Sequence, residues 1–225
     1  MDRMSAAEEI LDVVDTEDRV VRQAPRGEVY ARGLRHRCVF VQVRDGAGRI
    51  FVHRRTSGKL VFPSLYDMFV GGVVGAGEEY AAAALREAEE ELGVAGLAQP
   101  VPLFKFLYED AGDGSGDGSG SGPGGGSGAE SGSGSVGSWW SYVYEARWDG
   151  PVEPQASEVA WHAFLDEAEV AARLGTWEWV PDGLEAYRRL AAFRGDEPLL
   201  GEERPPGAGA VLGEERLRGR GGDAQ

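Results

Sequence analysis

The chain has a single cysteine, Cys38, and only two lysines, Lys59 and Lys105, among 225 residues. One thiol excludes an internal disulfide, so the fold must rest on a buried core, for which this length and a 42% hydrophobic content suffice. No apolar run is long enough to cross a bilayer, and the start, MDRMSAAEEILDVVD, lacks the basic and apolar regions of a secretory leader. These shortages point to a cytoplasmic protein with no membrane partner. Basic charge is scarce as well: 23 Lys and Arg face 38 Asp and Glu, for a net charge of −15 and a pI near 4.7. With no basic stripe, the balance argues against a nucleic-acid partner.

Apolar side chains are nearly missing from residues 110–138, which read DAGDGSGDGSGSGPGGGSGAESGSGSVGS, and residues 196–225 are rich in Gly, Pro and charge. Neither stretch has the burial needed to offset the entropy of ordering. We expect a disordered insertion between two hairpin strands, a disordered tail, and a disordered start over residues 1–8. The domain is then 9–195.

Within it, HRCVFVQVR (36–44) and IFVHR (50–54) are strand-like and flank the turn DGAGR, which predicts a hairpin. Residues 104–108, 139–146 and 159–165 predict further strands. A short helix is expected over 166–174, and another over 182–193 behind Pro181, where proline is tolerated in a first turn.

The strongest helix signal runs from Glu79 to Leu92. It is rich in Ala, Leu and Glu, has no internal Gly or Pro, and stops at Gly93. Helical geometry gathers Glu87, Glu90 and Glu91 within roughly a third of the circumference, beside an apolar stripe of Ala81, Leu85, Ala88 and Leu92. Such carboxylates repel one another, and a hard divalent cation reverses the sign of that interaction. Arg86 can pair with the acidic face; a solvated helix face is the bland alternative for the glutamates.

The stretch from Gly72 to Val94 fits G-x5-E-x7-R-E-U-x-E-E-x-G-U, with U a bulky apolar residue and Ala88 the one small substitute. This pattern resembles the signature of Nudix hydrolases. The likeness extends from about Leu11 to about Phe193. Because of RRTSGKLVFPSLYD (54–67), it looks most like the branch close to isopentenyl-diphosphate isomerases. The resemblance implies an α/β fold, an α/β/α sandwich around a mixed sheet with two or three helices and a catalytic loop–helix–loop. It implies Mg²⁺, or Mn²⁺, held by Glu87, Glu90 and Glu91 with the Gly72 carbonyl, one carboxylate serving as general base. Arg86 joins them as a catalytic residue, and Glu78 braces Arg86 or its loop.

Glu158 is the candidate metal ligand or base from outside the box, an ordinary strand-edge carboxylate being the alternative. Arg54, Arg55 and Lys59 either clamp substrate phosphates or make structural pairs. Trp139, Trp140 and Tyr142 either stack on a planar group or belong to the core, and core is the safer reading. The implied reaction is hydrolysis of a phosphoanhydride in a nucleoside diphosphate linked to another moiety, or in a related organic pyrophosphate. The partner is then a small-molecule diphosphate, and a homodimer is compatible with the resemblance. A non-catalytic nucleotide- or metabolite-binding domain is the rival. An isomerase fits poorly, because its catalytic Cys-Gly-His is here Gly71, Gly72 and Val73 and Cys38 sits mid-strand; of His36, His53 and His162 only His36 matches the position of an isomerase histidine, one ligand of several.

Overall fold

The computed structural model describes residues 6–59, 61–109 and 137–195. The expected disorder over 1–5, 110–136 and 196–225 lies outside the described residues. Among the described residues, no helix is long and apolar enough to cross a membrane.

The order of elements is β1 (Ile10–Val14), β2 (Val20–Pro25), α1 (Arg26–Ala31), β3 (His36–Arg44), β4 (Ile50–Arg55), β5 (Tyr66–Asp67), β6 (Val70–Val73), α2 (Tyr80–Leu92), β7 (Val101–Glu109), β8 (Ser138–Arg147), β9 (Val159–Leu165), α3 (Glu167–Arg173) and α4 (Pro181–Arg194). The principal sheet runs β5-β4-β3-β8-β7, with β6 also on β3 and β9 on β4; β1 and β2 form a separate two-stranded sheet. The sheet is mixed, since β3 and β8 are parallel and the other pairs antiparallel.

Alternation along β3 builds the sandwich. Val39, Val41 and Val43 pack with Ala83, Ala84, Ala88 and Leu92 of α2 on one face. Phe40, from the opposite face, packs with Val143, Phe106, Ala186, Tyr187 and Leu190, which brings α4 against the sheet. Each fully buried Val, Leu or Phe side chain among these contributes about 1.5–3 kcal/mol. The apolar stripe of α2 therefore differs from expectation: Ala81 is exposed, and Ala83 and Ala84 take its place in the core. The stripe is displaced because the loop before α2 sets which side of its first turn meets the sheet. The α2 helix ends as expected at Gly93, in the left-handed conformation at φ 66°.

The β3–β4 hairpin forms only at its base. The single register pair is Arg44 with Ile50, after which β6 takes the place of β4 along Cys38–Val41. The two strands part, and β4 turns instead to β9 and β5. This departure from a simple hairpin creates the gap that the site occupies. Other differences are small. A short α1 raises the helices to four among the described residues, β7 begins at Val101, and Ser138 already belongs to β8. Asp166 caps α3 through a reciprocal capping box with Glu169.

Candidate active site

Gly71 and Gly72 lie on β6 facing two carboxylates of α2. The Gly71 amide donates to Glu91 Oε2 at 3.2 Å. At Gly72, a Cβ would lie 2.6–2.8 Å from the carboxyl atoms of Glu87, so the bare backbone is what lets strand and carboxylate meet. Glu87 and Glu91, one helical turn apart, thus sit side by side against the same glycine pair. Both are shielded, with side-chain exposures of 14% and 7%, whereas Glu90 is 57% exposed. Burial raises the affinity of Glu87 and Glu91 for protons, and the Glu91 carboxyl is pushed up to about 8 against the pull of Lys59.

Arg86 ties the box together. Its Nε and Nη2 donate to the two carboxylate oxygens of Glu78 at 2.9 Å each, and its Nη1 donates to Glu87 Oε1 at 2.7 Å. Glu90 Oε2 lies 3.6 Å from the same Nη1. Glu78 in turn accepts from the Gly75 amide at 2.9 Å, so it braces both Arg86 and the loop. The guanidinium fork is suited to this bidentate task.

The opposite wall comes from the end of β4. Lys59 Nζ donates to Glu158 Oε2 at 2.9 Å and lies 3.9 Å from Glu91 Oε1. Arg55 donates to the Val61 carbonyl at 3.1 Å, and its positive charge favours the ionised forms of Glu91, Asp67 and Asp182. Arg54 alternates to the other face of β4, where it donates to the Ser64 carbonyl at 2.9 Å and lies over the Tyr66 ring. The structure therefore brings Glu87, Glu91, Lys59 and Glu158 together, with Arg54 outside this group. Trp139 and Trp140 are half-buried and packed, with Trp139 against Tyr108 and His36 and the Lys105 ammonium over Trp140.

Sequence reasoning missed Asp182. Asp67 and Asp182 are both buried, and both press on Gly183: a Cβ there would lie 2.6 Å from Asp67 Oδ1, and the Gly183 amide donates to Asp182 Oδ1 at 3.0 Å. Burial raises both, Asp67 to about 7 and Asp182 to about 6. The signal was faint, because an acid just after Pro181 looks like an ordinary first-turn helix residue.

The donor set fits a hard divalent ion: carboxylate oxygens, a backbone carbonyl at Gly72, and buried negative charge that calls for a cation. Among the described residues no three His, Cys, Asp or Glu converge closely enough to enclose one, and Lys59 and Arg86 pair with Glu158 and Glu87. The ammonium of Lys59 stands in for positive charge between Glu91 and Glu158.

The fold is a mixed sheet between two helical layers, with a glycine-faced pair of buried carboxylates on one helix. The family model described as the NUDIX domain matches residues 34–183, more than half of the chain. The chain belongs to this family. It is 62% identical over 192 residues to the uncharacterized Nudix hydrolase SCO1686 of Streptomyces coelicolor, covering 85% of this chain and 93% of that protein. It is 34% identical over 187 residues to the uncharacterized Nudix hydrolase YfcD of Escherichia coli K12, covering 82% and 87%. Among solved structures, DR0079 from Deinococcus radiodurans superposes with a TM-score of 0.59 at 28% identity, over 80% of this chain and 98% of that one.

These relatives place the chain among enzymes of the pyrophosphohydrolase class, a family that generally uses divalent metal ions. The expected nearness to isopentenyl-diphosphate isomerases is not borne out.

Proposed function

We propose that the chain is a Mg²⁺-dependent hydrolase of the phosphoanhydride bond in a nucleoside diphosphate linked to another moiety, or in a related organic pyrophosphate. Mn²⁺ is the alternative ion. The observation that carries this reading is the placement of Glu87 and Glu91 against Gly71 and Gly72, facing Lys59 and Glu158. Glu87, Glu90, Glu91 and the Gly72 carbonyl would hold the ion. When bound, it supplies neutralisation of the diphosphate and a water of lowered pKa. Arg86 fixes the carboxylates, one of Glu87, Glu90, Glu91 and Glu158 accepts the proton of the attacking water, and Arg55 and Lys59 orient the phosphates. We place the enzyme in the cytoplasm, consistent with its unpaired Cys38.

The test is the appearance of phosphomonoester or pyrophosphate products, read by ³¹P resonance, from nucleotide sugars, dinucleotides, nucleoside triphosphates and isoprenoid diphosphates, with Mg²⁺ or with a chelator. Turnover of at least one class that vanishes in chelator is expected and names the substrate. Metal-dependent binding without turnover of any class would replace this reading by a regulatory binding domain.

A further inference from the structure

We propose that Lys59 is a tethered counter-cation of the metal site: its ammonium bridges Glu91 and Glu158 in the metal-free protein, and a divalent ion must displace it in order to bind. The displaced lysine then faces the substrate's diphosphate. This inference rests on the assignment of Glu91 to the ion.

The bridge joins two parts of the fold. The Thr56 amide donates to the Glu158 carbonyl at 2.9 Å, the Thr56 hydroxyl to the Ser157 carbonyl at 2.9 Å, and the Lys59 amide to the Thr56 carbonyl at 3.3 Å. The turn carrying Lys59 is therefore stitched to the segment carrying Glu158, and their side chains meet at 2.9 Å as one unit. Glu91 reaches that unit from α2. Its Oε2 is held by the Gly71 amide and its Oε1 faces Lys59 at 3.9 Å.

An ion drawn to the Glu91 carboxylate meets a fixed positive charge within a few ångströms. Two cations cannot share that space without strong repulsion in a partly desolvated site. Lysine suits the role, because a compact charge on a flexible four-carbon stem can leave one anion for another. An arginine fork would be held by both carboxylates at once. The bridge also spends the lysine's charge while no ion is bound, so the empty site attracts phosphates weakly and the ion and diphosphate bind cooperatively.

The experiment titrates Mn²⁺ calorimetrically into the chelator-stripped full chain. Lys59→Met is expected to bind Mn²⁺ about tenfold more tightly than wild type, and Lys59→Arg about as tightly as wild type or less. Glu91→Gln is the control and should lose most of the binding. Lys59→Met with unchanged or weaker affinity, while Glu91→Gln still loses it, overturns the counter-cation and leaves the metal site standing. Glu91→Gln binding like wild type overturns the site assignment and this inference with it.

A measurement on the unmutated protein guards against misfolding of the variant. The chain holds only two lysines, so ¹³C at lysine Cε gives two signals, distinguished by Lys105→Arg. Saturating Mg²⁺ is expected to increase the mobility of the Lys59 signal; an unchanged signal with Mg²⁺ bound overturns the displacement.

Discussion

Replacement of Glu91 by glutamine is expected to lower turnover by about 10²- to 10³-fold, the cost of removing one charged group that organises developing charge in a site of this kind. The amide is nearly isosteric, and its oxygen can still accept from the Gly71 amide that bonds Glu91 at 3.2 Å, so the fold should survive. Stability should respond in a direction opposite to activity. Burial pushes the Glu91 carboxyl from 4.5 up to about 8, so the native state takes up a proton that the unfolded chain releases. The stability this carboxyl contributes is fully present below its ordinary value and is lost as pH rises through about 8. In chelator, the melting temperature of wild type should fall across this window, and Glu91→Gln should flatten the fall. Melting curves from about pH 5 to about pH 9 check this, and an identical slope in the variant would show that Glu91 is not the buried acid.

The second large effect is expected at Gly71. A methyl group there would lie 2.0 Å from the Val39 carbonyl oxygen, a rigid backbone atom of the neighbouring strand. Gly71→Ala must push β6 off β3, and overpacking of this kind costs about 3 kcal/mol. For a domain of this size that lowers the melting temperature by roughly 6–12 °C. The displaced strand also carries the amide that orients Glu91, so turnover should fall with stability. Gly175→Ala, with nothing within 4 Å of the added methyl, is the control and should be nearly silent. Equal melting temperatures for the two variants would contradict the tight β3–β6 approach.

The helix of the site was legible because its information is local. Ala-rich content, the Gly93 stop and the spacing of Glu87, Glu90 and Glu91 specify a helix and one acidic face without reference to the rest of the chain. The strands at 36–44 and 159–165 were legible for the same reason, from β-branched and aromatic content between turn residues. What the sequence could not convey was non-local. The parting of β3 from β4 depends on β6 inserting at Cys38–Val41, a pairing across a long loop with no signature in either strand. The fate of Arg54 and Arg55 shows the consequence. Adjacent in sequence and chemically alike, they fall on opposite faces of β4, and only Arg55 acts on the buried carboxylates. The Glu158–Lys59 pair was legible as two candidates but not as a contact, because it forms where the end of β4 is stitched to the segment before β9. Asp182 was hidden because only the packing of α4 against β5 makes that acid a buried one.

In the proposed reaction water attacks phosphorus at a site built from these carboxylates, and isotope transfer tests this most directly. With the best substrate of the panel and Mg²⁺, the reaction run in ¹⁸O-labelled water should place one heavy oxygen on one of the phosphate-containing products, read as an isotope-shifted ³¹P resonance, and in Glu91→Gln that signal should appear about 10²- to 10³-fold more slowly. Mg²⁺-dependent product whose phosphorus carries no label, or labelling that persists undiminished in Glu91→Gln, would contradict it.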